Sequence, residues 1–294
     1  MNNPFVKLHI AILLAGFTGI LGKLILLPTG PLVWYRMLLT AALFACWLWY
    51  ARKIPVIPWR ETGKFAAVGA LLAVHWMFFY GSIKYANVSI AVVCFALNGF
   101  FAAVFEPVWD GKRVSPREIG YSLISVLGIA LIFHFDTQYR LGIILGVLSA
   151  AFAALYAVSV RRTGAGYPSS TLFLYQMLGG LALLTLCAPA YLLLFPGESL
   201  VPSGRDVLYL LLLASACTIG LFMLQIQVLR EISAFTVSLS FNLEPIYSIL
   251  LAMLLFGEAS ELGASFAAGL ACIAVSVCLQ SVYTLRQLGR PPVS

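Results

Sequence analysis

Long apolar runs separated by short polar turns form the dominant pattern along this chain. Most runs have about the 20 apolar residues that a helix needs to cross a bilayer. They lack the alternation of a membrane β-barrel, and within lipid only a helix satisfies the backbone polar groups of a single span. The pattern therefore predicts an all-α membrane protein with ten transmembrane helices. The ten runs cover residues 5–26, 31–51, 64–84, 88–109, 118–135, 139–160, 170–194, 206–229, 234–256 and 262–284.

Composition supports the same class of protein. Hydrophobic residues make up 62% of the 294 residues and charged residues 10%, whereas soluble proteins average about 45–50% and about 25%. Too few polar side chains remain to cover a water-facing surface, which excludes a soluble or disordered chain. The six cysteines all lie within apolar runs and lack the paired spacing of a zinc site. We therefore expect no metal and no cofactor.

The formal net charge of +7 first suggests a nucleic-acid partner. With the N-terminus placed in the cytoplasm, however, thirteen of the 18 Lys and Arg residues fall on the cytoplasmic side of the predicted spans. This is the bias of the positive-inside rule. The excess charge thus predicts a multi-pass inner-membrane (plasma-membrane) protein with both termini in the cytoplasm, and it removes nucleic acid as a partner.

The chain also contains an internal repeat. Residues 35–38 (YRML) match residues 175–178 (YQML), and residues 95–101 (FALNGFF) match residues 241–247 (FNLEPIY). Each half then holds five spans, and an odd number inverts the second half relative to the first. Inverted repeats are typical of secondary transporters, whose substrate site lies between the halves near the membrane midplane. We expect a first five-helix repeat over 5–135, a second over 139–284 and a disordered cytoplasmic tail over 285–294.

The second half carries three further features: Glu244-Pro245, the turn 256–258 (FGE) and a last span rich in Gly and Ala. Together they resemble the EamA-type pattern of the drug/metabolite transporter superfamily, over essentially the whole chain. The first half departs from it, with Asn98-Gly99 in place of the Glu-Pro pair. The resemblance implies two five-helix repeats, a central cavity lined by spans 1, 3, 4, 6, 8 and 9, and export or exchange of small metabolites such as amino acids.

Glu244 is the sharpest candidate for a functional residue. A carboxylate near mid-span costs at least about 2.5–3.5 kcal/mol on insertion scales, so it should face a cavity or a partner. Pro245 removes a helix hydrogen bond to the carbonyl of Phe241 and predicts a helix break, with Gly99 at the equivalent position of the first half. Glu244 can bind substrate or carry a proton. The alternative is a structural ion pair or hydrogen bond between helices.

The cationic candidates are Arg36 in span 2 and Lys23 near the outer end of span 1. The planar guanidinium of Arg36 suits a substrate carboxylate. Arg36 can equally pair with Glu244 or extend to the membrane surface, and the same extension is open to Lys23.

Span 3 carries a group of aromatic residues around His75. His75 and Phe79 share a helix face, and histidine changes charge near neutral pH, which suits a gate or a proton relay. A hydrogen bond from His75 to a neighbouring carbonyl is the alternative. Trp76 and Tyr80 can line a cavity for apolar or cationic cargo or can face lipid.

Uncharged amides complete the set of candidates. Asn98 is equivalent to Glu244, and Gln176 to Arg36, so both can bind substrate or join helices. Gln225 and Gln227 point to opposite sides of span 8, so at most one faces a central cavity. The full set of candidate substrate-binding or coupling residues is Glu244, Asn98, Arg36, His75, Trp76, Phe79, Tyr80, Gln176, Phe241 and Tyr247.

The remaining features are structural in this interpretation. Small residues recur every four along span 6 at Gly142, Gly146, Ala150 and Ala154, which allows close helix packing. Glu258 is expected to brace the last helix. No catalytic motif is present, so the protein is not expected to be an enzyme.

The sequence therefore predicts a secondary transporter of small organic metabolites that works by alternating access, as a monomer or homodimer in the lipid bilayer. Two other functions stay open at this point: a flippase for lipids or lipid-linked sugars, and a membrane receptor without transport activity.

Overall fold

The computed structural model describes residues 3–54, 56–133, 139–163, 166–256, 268–272, 274–276, 278–279 and 282. These residues form helices and connecting turns, with no strand among them. Most of the predicted span 262–284, the turn with Glu258 and the tail 285–294 lie outside the described residues. The helices are α1 (Pro4–Leu24), α2 (Thr29–Tyr50), α3 (Trp59–Tyr85), α4 (Val88–Phe95), α5 (Asn98–Trp109), α6 (Pro116–Phe133), α7 (Arg140–Thr163), α8 (Ser169–Leu194), α9 (Gly204–Ala214), α10 (Leu221–Glu231), α11 (Ala234–Ser240) and α12 (Glu244–Phe256).

Seven segments in the described part of the chain are long and apolar enough to cross a membrane. They are α1, α2, α3, α4 with α5, α7, α8, and α9 with α10. Shorter apolar helices occupy Ile119–Gly128 and Glu244–Phe256. The prediction of an all-helical, multi-pass membrane protein is therefore confirmed. Helix α3 begins five residues earlier than predicted, directly after Pro58. A proline disfavours helical geometry in the residue before it but is well tolerated where a helix starts, so the helix begins here.

Three spans are interrupted inside the bundle. Helix α4 ends at Phe95 and α5 begins at Asn98, with short i→i−3 hydrogen bonds at Ala96 and Leu97 between them. Residues 241–243 form a 3₁₀ turn between α11 and α12, and residues 215–220 form a π turn between α9 and α10. Such irregular turns within a span are tolerated where protein surrounds them, and they often mark functional positions.

The 3₁₀ turn at 241–243 has a local cause in the sequence. Pro245 has no N–H to donate to the carbonyl of Phe241. The backbone N–H of Glu244 donates to that carbonyl instead, which tightens the turn. The predicted break residues, Gly99 and Pro245, accordingly lie in the first turn of the helix that follows each interruption.

Small residues let α3 and α7 approach their neighbours closely. A Cβ atom added at Gly69 would lie 1.9 Å from the carbonyl oxygen of Gln176 in α8. On α7, Cβ atoms added at Gly142 and Gly146 would lie 2.5 Å from the Cβ atoms of Ala86 and Cys94. The packing interpretation of the small residues at Gly142 and Gly146 is therefore confirmed.

Two cations tie loops at opposite ends of the bundle. Lys84, near the end of α3, donates from Nζ to the carbonyl oxygen of Ile25 (2.5 Å) in the α1–α2 loop. Arg230, near the end of α10, donates to the carbonyl oxygen of Tyr167 in the α7–α8 loop. The first loop receives a second tie because the backbone N–H of Leu26 donates to Oδ1 of Asp206 (2.7 Å).

We predict that Gly69→Ala destabilises the protein. Its new methyl group would overlap the α8 backbone, and overpacking of this kind costs about 1–3 kcal/mol. The melting temperature in detergent measures the effect. Gly63→Ala in the same helix is the control, because no atom lies within 4 Å of its added Cβ. That substitution should leave stability unchanged or slightly raised; equal melting temperatures for the two variants would contradict the packing argument.

Candidate functional site

A cavity lies inside the bundle where the interrupted spans meet α3. Its volume is about 50 Å³. All six spans predicted to line a central cavity contribute side chains, and α2 adds Arg36. The lining residues are Ala15, Thr18, Arg36, Leu72, His75, Trp76, Phe79, Phe95, Asn98, Ala153, Tyr156, Leu221, Phe222, Gln225, Phe241 and Glu244.

Arg36 is held from several sides although no part of it reaches the surface. Its Nε donates to Oγ1 of Thr218 (2.9 Å), one Nη donates to the hydroxyl of Tyr80 (2.6 Å), and the other donates to the carbonyl oxygen of Cys217 (3.3 Å). The guanidinium carbon also lies 3.6 Å from the ring centroid of Trp76, a close cation–π contact. Arg36 is thus fixed by α3 and by the π turn while it faces the cavity.

Glu244 brings a carboxyl group to the same cavity, and the residue is only 3% exposed. Within the described part of the chain its carboxylate accepts no hydrogen bond and forms no ion pair, not even with Arg36. Glu244 begins α12, and the N-terminal end of a helix favours a negative charge. The cavity therefore holds one guanidinium group and one carboxyl group that form no ion pair with each other.

Two amide side chains line the cavity with unused hydrogen-bonding capacity. Oδ1 of Asn98 and Oε1 of Gln225 are buried without a hydrogen-bond partner among the described residues. An unsatisfied buried polar atom costs about 1–3 kcal/mol, so such atoms are rare unless something else supplies the partner. Of the two glutamines in this span, Gln225 faces the cavity and Gln227 does not line it.

His75 is anchored to α7 rather than free in the cavity. Its Nδ1–H donates to the carbonyl oxygen of Ser149 (3.0 Å), and Oγ of Ser149 lies 2.9 Å from the same nitrogen. This is the structural alternative raised for His75. The ring still lines the cavity and lies close to two aromatic rings, at 5.4 Å from Phe95 and 6.0 Å from Phe79 between centroids.

Aromatic rings form much of the remaining wall. Trp76 packs edge to face on Phe222 at 5.4 Å, and Phe222 also contacts Tyr156 at 6.0 Å. Phe95 lies 5.9 Å from Phe79. The walls are therefore apolar between the few polar groups, as is usual for sites that bind small organic molecules.

The predicted site residues fall into two groups. Glu244, Asn98, Arg36, His75, Trp76, Phe79 and Phe241 line the cavity. Tyr80 lies behind it and holds Arg36, and Gln176 lies behind it as the acceptor for the hydroxyl of Tyr156 (3.1 Å). Tyr247 is outside the lining, with its hydroxyl 3.4 Å from Nε2 of His9. Gly99, Pro245 and Lys23 are also outside it.

Several residues of the site were not predicted from the sequence. Tyr156, Phe222 and Phe95 are apolar or aromatic residues in apolar spans, and nothing in the sequence separates them from core residues. The π turn that binds Arg36 had a weak signal, since residues 215–220 (SACTIG) place hydroxyl and small residues within an apolar run.

A second polar cluster lies at the end of the bundle that carries the N-terminus, and we call it the Glu106 cluster. Glu106 of α5 accepts from Nη1 of Arg161 in α7 (2.6 Å) and from the backbone N–H groups of Ala234 (3.3 Å) and Phe235 (2.7 Å) at the start of α11. Asp110 accepts from Arg162 beside it (2.8 Å). One carboxylate thus joins three helices.

The charge of Asp110 persists at working pH. Burial alone would raise the pKa of Asp110, but hydrogen bonds from Arg162 and Lys112 outweigh it and hold the pKa below its ordinary value. The pairing with Arg162 is therefore present at neutral pH and is lost only as the pH falls through that lowered pKa.

The fold is that of a multi-pass membrane protein whose helical bundle encloses a cavity with polar groups and aromatic walls. A sequence model of the EamA-like transporter family matches residues 6–134 and again residues 140–280. The chain belongs to the EamA-like transporter family, as the sequence features had predicted.

Two relatives are named transporters, and one solved structure shares the fold. The uncharacterized transporter YxxF of Bacillus subtilis (strain 168) is 25% identical over 192 residues, which cover 62% of this chain and 61% of that protein. An uncharacterized transporter of Haemophilus influenzae is 25% identical over 158 residues, 50% of this chain and 51% of that protein. The matched segments thus span less than two thirds of either relative. A solved crystal structure shares the fold with a TM-score of 0.71 at 20% identity, covering 98% of this chain and 99% of the other.

We predict that the two cavity charges differ in what they contribute to stability. Arg36→Met leaves Thr218, Tyr80 and the carbonyl of Cys217 without their donor, which should cost about 2 kcal/mol or more. Glu244→Gln removes a buried charge that has no hydrogen-bond partner in the described structure, so it should not lower stability. Melting temperatures of both variants in detergent test this difference; a larger loss for Glu244→Gln would contradict it.

Proposed function

We propose that this protein is a secondary transporter for small zwitterionic metabolites, with amino acids as the leading class, and that it exports or exchanges them by alternating access. The observation that carries the proposal is the pair of opposite charges, Arg36 and Glu244, in one aromatic-walled cavity without an ion pair between them.

The electrostatics of the cavity favour a zwitterion over a singly charged molecule. A substrate carboxylate can accept from the guanidinium of Arg36, which is already positioned by its three protein partners. A substrate ammonium group can donate to Glu244, whose carboxylate has no protein donor in the described structure. Each end of the substrate then meets an opposite charge in a low-dielectric site, where such hydrogen bonds are strong. The aromatic walls suit the apolar part of the molecule.

We further propose the architecture of ten spans in two inverted five-helix repeats, 5–135 and 139–284. The family model matches the chain twice, once in each half. The helix interruptions at 96–97 and 241–243 fall at corresponding positions, since Asn98 and Glu244 are 146 residues apart. Lys84 and Arg230 are also 146 residues apart, and they tie loops at opposite ends of the bundle. An inverted repeat accounts for all three correspondences.

The same proposal places the protein in the inner (plasma) membrane with both termini in the cytoplasm, on the strength of the positive-inside bias. The Glu106 cluster then lies at the cytoplasmic end. The half-helices α5 and α11 lead from the interruptions to that end, and Glu106 clamps them together. Opening toward the cytoplasm would require this clamp to release while the interruptions act as hinges.

We predict that Glu244→Gln lowers transport at least about tenfold, because the neutral amide loses a charge-assisted hydrogen bond to the substrate worth about 1.5–3 kcal/mol. Counterflow of a labelled amino acid in liposomes that contain only this protein measures the effect. A thermal-shift screen of amino acids, amines, nucleosides and sugars selects the labelled compound. If Glu244 also carries a proton, the pH dependence of the wild-type rate should disappear in the variant.

The matched control for this prediction is Glu61→Gln. Glu61 lies near the start of α3 and pairs with the exposed Lys64 (2.7 Å), far from the cavity. It should transport like the wild type. Wild-type rates for Glu244→Gln across the pH range would exclude Glu244 from both roles, and saturable binding without counterflow would point to a receptor.

We predict that Glu106→Ala shifts the protein toward a state open at the cytoplasmic end. The variant loses one charge-assisted contact and two helix-capping hydrogen bonds, a loss that corresponds to at least a roughly tenfold change in the equilibrium. The readout is the labelling rate of Ala153→Cys by a membrane-impermeant thiol reagent from the cytoplasmic side, in a background without native cysteines.

Asp110→Asn is the control for Glu106→Ala, since Asp110 belongs to the same cluster but forms exposed pairs that contribute little. It should leave the labelling rate near that of the parent. Unchanged labelling of Glu106→Ala would show that the Glu106 cluster does not hold this end closed.

A further inference from the structure

Two amide oxygens in the cavity have no hydrogen-bond partner among the described residues, and they indicate which type of substrate ammonium group would fit there. In the described part of the chain, six buried side-chain polar atoms lack a hydrogen-bond partner. Only two of them, Oδ1 of Asn98 and Oε1 of Gln225, belong to residues that line the cavity. Both are acceptors, and both belong to the cavity that holds Glu244.

The placement of these residues follows from the interrupted spans. Asn98 is the first residue of α5 and Glu244 the first residue of α12, so each directly follows an interruption. Gln225 lies one turn beyond the π turn, on α10. Three acceptors from three different spans thus line one cavity, and within the described residues no protein N–H or O–H is hydrogen-bonded to these atoms.

We propose that Asn98, Gln225 and Glu244 form a subsite for a primary ammonium group, so that the substrate must carry several N–H donors and not merely a positive charge. The subsite rests on the proposed function and names the chemical class at one end of the substrate. A primary ammonium has three N–H donors, one for each acceptor. A quaternary ammonium has the same charge and none, and it would leave both amide oxygens unsatisfied.

This subsite differs from an aromatic cage. Aromatic rings bind quaternary ammonium groups well because the interaction depends on charge and not on N–H donors. The cavity also has aromatic walls, so the two modes make opposite predictions for methylated substrates. Loss of N–H groups weakens binding in the subsite proposed here and leaves it unchanged or stronger in an aromatic cage.

The experiment compares substrates that keep both charges and lose N–H donors one at a time. The probes are leucine, phenylalanine and glutamine, each as the free amino acid and as its N-methyl, N,N-dimethyl and N,N,N-trimethyl derivative. Dissociation constants for the purified full-length protein come from isothermal titration calorimetry. We expect the trimethyl form to bind at least about tenfold more weakly than its parent, as loss of buried hydrogen bonds predicts.

Gln225→Met separates hydrogen bonding from steric exclusion, because methionine has a similar length and no hydrogen-bonding amide. The parent amino acid should bind it about tenfold more weakly, and the preference for the parent over the trimethyl form should fall several-fold. Gln227→Met is the matched control, two residues along the same helix and outside the cavity lining. It should keep the wild-type preference. A melting temperature confirms that each variant is folded, and the wild-type series tests the proposal without any variant.

Each outcome decides between the claims. Equal or tighter binding of the trimethyl forms overturns the ammonium subsite and leaves the zwitterion transporter standing. A preference for the parent that Gln225→Met leaves intact assigns the exclusion to sterics and removes Gln225 from the subsite. Binding of none of the probes, with a folded protein, overturns the proposed function and this subsite together.

Discussion

The buried guanidinium of Arg36 is the interaction on which the cavity depends. A charged side chain inside a membrane costs at least about 2.5–3.5 kcal/mol, and that cost falls when the donors find partners. Here the partners come from two other spans: Tyr80 and Trp76 from α3, and Thr218 with the carbonyl of Cys217 from the π turn. A regular α-helix uses its carbonyls internally, so the π turn has a clear role in presenting one to Arg36. The π turn therefore supplies acceptors to the buried guanidinium, and the guanidinium in turn satisfies a carbonyl of the irregular backbone.

Glu244 shows the complementary constraint. Burying a carboxylate without a protein donor is unfavourable, and pairing it directly with Arg36 would be the simplest remedy. The bundle instead places the two side chains in one cavity without an ion pair between them, and it leaves Oδ1 of Asn98 and Oε1 of Gln225 unsatisfied in the same cavity. A purely structural ion pair does not need this arrangement. A binding site for a polar molecule needs polar groups that lack protein partners, because the bound molecule then supplies the hydrogen bonds. Glu244, Asn98 and Gln225 are such groups in the described structure.

The sequence predicted the membrane class, most of the span limits and seven of the cavity residues, because these depend on local patterns. Apolar runs of span length report burial in lipid whatever their neighbours are, and a mid-span Glu or Arg must turn away from lipid. The rest depends on how helices rotate against one another. Gln225 and Gln227 have the same chemistry, and only the packing of α10 selects Gln225. Tyr80 and Gln176 have suitable chemistry but lie one layer behind the cavity. Glu106 was not among the predicted site residues, because its partners are more than fifty residues away in sequence.

The two ends of the bundle are held by different contacts, although the two proposed halves correspond in their interruptions. The position 146 residues after Glu106 is Ala252, whose methyl side chain cannot accept hydrogen bonds from neighbouring helices. At that other end, Lys84 and Asp206 instead hold the loop at residues 25–28 through its backbone carbonyl and N–H groups. One end thus depends on a carboxylate that links three helices, and the other on side chains that bind a single loop. The contacts of Glu106 join α5 to α11. Helix α5 follows the interruption at 96–97, and α11 precedes the one at 241–243. A change at the cavity can therefore reach the Glu106 cluster through these two half-helices. At the other end, Asp206 lies on α9, which leads directly into the π turn that binds Arg36. We therefore infer that the two ends respond to substrate through different interruptions.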